Sequence, residues 1–177
     1  EHNRLGADVE QIHDAAAADA FLKEQPAVAM LGIACVLTGK PGVRADIQGC
    51  ALGRPDGNAA FVQGEARDWP RPLIECLHDG NKPKAVQDLK PLLLALHRQG
   101  IDMPGPYFDT MVADYLLNPN RRAHSLEAIA MDLLSYQLGA GEQEDSGKGP
   151  QSLFDVDENL VRRTGEAAAV TAKVAPM

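Results

Sequence analysis

The run AVAMLGIACV, from Ala27 to Val36, constrains this chain more than any other stretch, because it carries no polar or charged side chain. Such a segment suits a strand covered on both faces better than one with a wet side. Pro26 stands directly ahead of it and stops any helix that precedes it. A strand of this kind needs a sheet with helices on its faces, and the rest of the sequence supplies both.

Two further strands are expected nearby, VRADIQGCALG from Val43 to Gly53 and NAAFVQGE from Asn58 to Glu65. The GKPG turn (Gly39–Gly42) and RPDG, of tight-hairpin composition, connect the three, which gives an antiparallel opening. Ahead of them, DAAAADAFLKEQ (Asp14–Gln25) reads as a short Ala-rich helix capped by Asp14.

Helical pattern then takes over. WPRPLIECLHDG has prolines suited to a first turn and Gly80 suited to a stop, and a short strand, KPKAVQ, follows it. DLKPLLLALHRQG (Asp88–Gly100) has Asp at its start, basic residues in its last turn and Gly at its end, the polarity a helix dipole favours. Asp88 and Asp109 each precede a helical run and read as N-caps. After the PGPY turn, FDTMVADYLLNP is expected to be a helix ended by Asn118-Pro119, and HSLEAIAMDLL a helix capped by Ser125. LGAGEQEDSGKGPQS (Leu138–Ser152) has loop composition, and a last helix runs from about Glu158. The pattern is α/β with a mixed sheet, three antiparallel strands and then parallel ones, in a single domain over residues 1–177.

Composition narrows the function classes. Lys and Arg number 17 against 25 Asp and Glu, a net charge of −8, which disfavours autonomous docking on phosphates without excluding a local basic groove. Cys35, Cys50 and Cys76 are widely spaced in apolar stretches and read as buried free thiols of a reducing cytosol. No run reaches membrane-spanning length, so a soluble cytoplasmic protein is expected, with no membrane partner. The chain opens on Glu1 and not on Met, which points to a piece of a longer protein.

Arg121, Arg122 and His124 form the densest basic cluster and are the candidate phosphate contacts, against the plainer reading of a solvated loop. His78 and His97 sit near helix ends where an imidazolium suits the dipole, and no HExxH or paired His/Cys spacing suggests zinc. Trp69 reads as a packing residue. No serine stands in a GxSxG context.

Three blocks carry a resemblance. KPKAVQDLKPLLLALHRQGI, FDTMVADYLLNP and HSLEAIAMDLL resemble, in order and spacing, the core of the 3′-5′ exonuclease (proofreading) domain of bacterial family A DNA polymerases. The resemblance implies a ribonuclease H-like fold and a parent DNA polymerase acting in replication and repair. It also implies two-metal phosphodiester hydrolysis, with paired Mg²⁺ or Mn²⁺ held by carboxylates. In the family an Asp-x-Glu pair on the first strand places both ligands on one face. Here those positions align with Gly32 and Ala34. The Asp of the family's Asn-Leu-Lys-Tyr-Asp segment aligns with Leu92, in Asp88-Leu89-Lys90-Pro91-Leu92. Anchored on Val170-Thr171, the last motif's Tyr and Asp align with Arg163 and Ala167.

The expectation is therefore a domain without catalytic residues, metal ligands or cofactor of its own. It is expected to be monomeric, to support an adjacent polymerase domain, and to meet DNA through the parent protein. A free-standing ribonuclease H-like module that binds nucleic acid or protein without cutting is the alternative. An active nuclease built on a relocated carboxylate set is the third reading. The nearby acids Asp88, Asp109 and Glu166 offer at most a lone weak cation site, Glu166 pointing away from residue 167 on helical geometry.

Overall fold

The computed structural model describes residues 8–26, 29–39, 45–139 and 157–177. Its strands are β1 (Val9–Gln11), β2 (Leu31–Thr38), β3 (Asp46–Gly53), β4 (Ala59–Gln63), β5 (Lys84–Val86) and β6 (Tyr107–Asp109). Its helices are α1 (Ala15–Lys23), α2 (Arg71–His78), α3 (Leu89–Arg98), α4 (Thr110–Leu117), α5 (Leu126–Leu134) and α6 (Glu158–Val174). The strands form one sheet in the order β1-β4-β3-β2-β5-β6. β2, β3 and β4 pair antiparallel, whereas β1, β5 and β6 join their neighbours in parallel. The expected mixed sheet is present, with two edge strands the pattern did not reveal.

Both missed strands are short. β1 falls in a polar lead, and β6 occupies the start of the segment read as one helix from Phe108, so α4 begins only at Thr110. Each is three residues long and exists through non-local pairing, with Ala59–Phe61 and Lys84–Val86 respectively. β2 also starts later than its apolar run. Ala29 and Met30 precede it, Ala27 and Val28 lie outside the described residues, and Leu31 enters the sheet by pairing with Lys84. Most of the GKPG turn, the start of the second strand at Val43 and most of the Leu138–Ser152 segment also lie outside them.

One face of the sheet holds the main core. Ile33, Cys50, Leu52 and Val62 pack there against Phe21 of α1, Leu73 and Leu77 of α2, and Leu92 and Leu96 of α3. Trp69 is buried in it and donates its indole N–H to the Gly64 carbonyl at 3.0 Å, as a packing residue. On the other face α6 covers Ala34, Val36, Ala51 and Phe61 with Val161 and Ala168, and α5 stacks on α6 through Leu126, Ile129, Val170 and Val174.

α6 approaches the sheet more closely than side chains would allow. Gly32 and Gly53 are cross-strand partners, and a Cβ on either would lie 1.9 Å from the Ala168 carbonyl oxygen or 2.1 Å from the Ala168 carbonyl carbon. The helix backbone thus rests on a pair of glycines, an approach open only to residues without Cβ.

Two buried cations brace the periphery. Arg54 bonds Glu24 at 2.6 Å and lies 4.7 Å above the Phe21 ring, joining the β3–β4 turn to α1. Lys84 is fully buried, and its ammonium donates to the carbonyls of Asp79, Lys82 and Pro104 at 2.6, 3.1 and 3.0 Å. Burial pushes its pKa down, although Cys76 and Asp79 act in the opposite sense. Among the described residues no helix is long and apolar enough to cross a membrane.

Candidate functional site

A cleft of about 650 Å³ opens where β2, α3, α6 and the start of α5 meet. It is lined by Ala34 and Cys35 of β2, Leu92 of α3, Ala167 and Thr171 of α6, and Asp88, His124 and Glu127 beside them. Three of the positions singled out in the sequence, Ala34, Leu92 and Ala167, therefore converge from three separate elements. All three carry aliphatic side chains.

Gly32 does not belong with them. Strand alternation places it on the α6 side, but the Ala168 backbone occupies the space a side chain would need, and Gly32 is not among the cleft's lining residues. The same-face pair with room for side chains is Ala34 and Val36, both packed against the α6 cluster. Arg163 lies one turn before Ala167, is exposed, and is likewise outside the lining.

The neighbouring carboxylates are used in different ways. Asp109 accepts the N–H groups of Met111 and Val112 at 3.0 and 3.3 Å, capping α4 as expected. It also accepts those of Asp88 and Leu89 at 3.2 and 2.8 Å. One carboxylate thus caps two helices. Asp88 occupies the N-cap position of α3 at φ 60° and makes no side-chain cap bond, so the expected Asp88 cap is replaced by Asp109. The reason is tertiary: β5 and β6 are neighbours, so the starts of α3 and α4 lie side by side. Glu166 is buried away from the cleft, accepting from the Tyr136 hydroxyl and from the Gly139 N–H. Burial, reinforced by Glu166, pushes the Tyr136 hydroxyl well above its usual pKa.

The expected basic cluster is an internal network. Asp114 is buried, with His124 Nδ1 at 2.6 Å, Asn118 Nδ2 at 2.8 Å and Arg121 at 3.4 Å, and Arg121 also pairs with Asp132. Burial alone would raise the Asp114 pKa, but the bonds from His124 and Asn118 and the charge of Arg121 outweigh it and hold the carboxyl below its ordinary value. Tyr115 meets the His124 ring edge-on at 5.3 Å. Arg121 and His124 thus fasten α4 to the start of α5, whereas Arg122 is exposed to solvent. Gln87 adds a tie, donating to the His124 carbonyl at 2.7 Å and accepting from Thr110 at 2.5 Å.

The donor set does not suit a pair of hard divalent cations, which need several converging oxygen ligands. The acidic side chains lining the cleft are Asp88 and Glu127, and among the described residues no three of His, Cys, Asp and Glu come together in a way that could hold a metal ion.

The DNA polymerase I ribonuclease H-like domain family matches residues 37–163, more than half of the chain. The DNA polymerase I of Geobacillus stearothermophilus is 31% identical over 137 residues, covering 75% of this chain and 15% of that protein. That of Bacillus subtilis (strain 168) is 28% identical over 94 residues, covering 53% of this chain and 11% of its own length. The chain therefore spans less than a sixth of these relatives.

Two solved structures establish the fold. The POL domain of Pol1 from M. smegmatis, in complex with DNA primer-template and dNTP, superposes at TM-score 0.70 and 22% identity over 94% of this chain and 26% of that one. Brucella melitensis NrnC with bound Mg²⁺ superposes at TM-score 0.70 and 16% identity, over 94% and 75% respectively. The chain belongs to the DNA polymerase I ribonuclease H-like domain family, the 3′-5′ exonuclease domain of the bacterial enzymes.

Proposed function

We propose that this domain is a catalytically silent form of the proofreading exonuclease, kept as a structural unit beside a polymerase domain that carries out DNA synthesis in replication and repair. The observation that carries the reading is the aliphatic lining at Ala34, Leu92 and Ala167. Two-metal hydrolysis needs carboxylates to hold both ions and to balance their charge. Methyl and isobutyl groups supply neither. Two of the three positions also fall outside the 37–163 span of the family match, Ala34 before it and Ala167 after it.

Replacement of clustered acids by small apolar groups removes their mutual repulsion and favours the folded state. A scaffold role accords with that direction of change. A neighbouring domain also gives a reason for the apolar end of α4, where Tyr115, Leu116 and Leu117 are 57%, 72% and 80% exposed. In the parent protein that domain would cover them, and DNA would be met through the polymerase.

Calorimetric titration with Mn²⁺ tests the reading. The chain is expected to show no saturable binding, and a variant with Ala34→Glu, Leu92→Asp and Ala167→Asp to gain it. Stoichiometric binding by the unaltered chain would overturn the proposal.

A further inference from the structure

Cys35 and Cys50 are cross-strand partners in β2 and β3. The hydrogen-bond pattern fixes which kind of pair they form. Arg54 N–H bonds the Asn58 carbonyl and Gly64 N–H bonds the Gln48 carbonyl, so the even-numbered residues of β3 turn their backbone groups toward β4. Cys50 therefore has none directed at β2, and Cys35 and Cys50 are a non-hydrogen-bonded pair. Cα atoms in such a pair lie about 4.5 Å apart with their side chains close, within the span of roughly 4.4–6.8 Å that a disulfide bridges. Both side chains are on the sheet face that carries the main core, where the Cys50 thiol donates to the Ala51 carbonyl at 3.7 Å. Both are free thiols here.

Their access differs. Cys50 is fully buried, whereas Cys35 is half-buried and lines the cleft. We propose that Cys35 and Cys50 form a thiol–disulfide couple, oxidised by a low-molecular-weight disulfide that enters through the cleft and reacts first at Cys35. The Cys35 thiolate attacks one sulfur of the reagent, forming a mixed disulfide and expelling one thiolate. The Cys50 thiolate then attacks the Cys35 sulfur, which closes the Cys35–Cys50 bond and expels the second thiolate. The two thiol protons end on the two released thiols, so the reagent is reduced by two electrons and the protein is oxidised by two. Burial, with the neighbouring Cys50, pushes the Cys35 thiol well above its ordinary pKa, so exchange is slow near neutrality and accelerates in alkaline solution.

The inference does not depend on the catalytic state of the cleft. It is tested on the folded 177-residue chain with oxidised glutathione at about pH 9. Cys76→Ser removes the third thiol, and the unsubstituted chain is run in parallel. Expected are a mass loss of about 2 Da, loss of two alkylatable thiols and a peptide joining residues 35 and 50. Adding Cys50→Ser is expected to trap one glutathione on Cys35, while adding Cys35→Ser leaves Cys50 at least tenfold less modified. Two outcomes overturn the proposal. One is that both thiols stay alkylatable in the native chain while the denatured chain oxidises readily. The other is that mixed disulfides accumulate on the native chain without closure.

Discussion

Gly32→Ala adds a single methyl group, and the structure specifies its cost. The new Cβ would lie 1.9 Å from the Ala168 carbonyl oxygen and 2.9 Å from the Ala172 nitrogen, both backbone atoms of α6. Neither can turn aside as a side chain does, so the helix must retreat by about 1 Å or the strand must bend. A gap of that size forfeits a quarter to a half of the dispersion energy at each contact it opens. α6 buries Val161, Ala168, Ala169, Val170, Thr171, Ala172 and Val174, so the loss spreads along its length. The expected destabilisation is about 3 kcal/mol or more, at the upper end for overpacking by one carbon. Urea unfolding of the two proteins, followed by far-UV circular dichroism, measures it as a shift in midpoint at unchanged slope. Gly32→Ala combined with Gly53→Ala is expected to cost less than the sum of the two, because one movement of α6 relieves both clashes. A single-variant loss below about 0.5 kcal/mol, the scale of a neutral surface change, would refute the close approach and with it the exclusion of Gly32 from the cleft.

Asp109→Ala removes the shared cap of α3 and α4 and is expected to cost about 2–4 kcal/mol in urea unfolding, roughly twice a single cap; a loss under about 1 kcal/mol would mean that one helix does not depend on it. Lys84→Met leaves the carbonyls of Asp79, Lys82 and Pro104 without their donor, with an expected loss of about 2–4 kcal/mol at neutral pH. Because burial holds the folded pKa of Lys84 below 10.5, the unfolded chain binds more protons just under that value. The margin of the parent chain over Lys84→Met is therefore expected to widen as pH rises toward 10.5, and a narrowing margin would contradict the assignment. For Asp114, whose folded pKa lies below 3.8, the sign is opposite. Its contribution is present above 3.8 and lost as pH falls through the folded value, so the roughly 1–3 kcal/mol deficit of Asp114→Asn at pH 7 is expected to shrink in acid.

Local signals were legible where the physics is local. Asp14 accepts the Ala17 N–H at 2.8 Å and Ser125 that of Ala128 at 3.3 Å, as their positions implied. The RPDG turn and the long helices also fall where pattern placed them, since caps, prolines and periodicity act within a few residues. β1 and β6 escaped because three-residue strands have no period to detect and exist through partners far along the chain. Asp109 looked like an ordinary cap, since its second helix becomes visible only once β5 and β6 are neighbours.

The candidate site divides in the same way. Ala34, Leu92 and Ala167 were reached through the family resemblance, and the fold brings them together. Gly32 stands apart from these three for a definable reason. Alternation along a strand fixes which residues share a face, but not which of them has room for a side chain, and only the position of α6 decides that. The ionic network around Asp114 was hidden too, because composition shows the basic residues near 121 and not the buried acid seven positions earlier that binds them.

Cleavage of single-stranded DNA by the purified chain, with Mg²⁺ and separately with Mn²⁺, tests the loss of exonuclease chemistry most directly. The expected result is no metal-dependent nucleotide release above the buffer control. The contradicting result is chelator-sensitive cleavage that co-purifies with the chain and falls at least tenfold in Asp88→Ala or Glu127→Ala, the carboxylates that line the cleft.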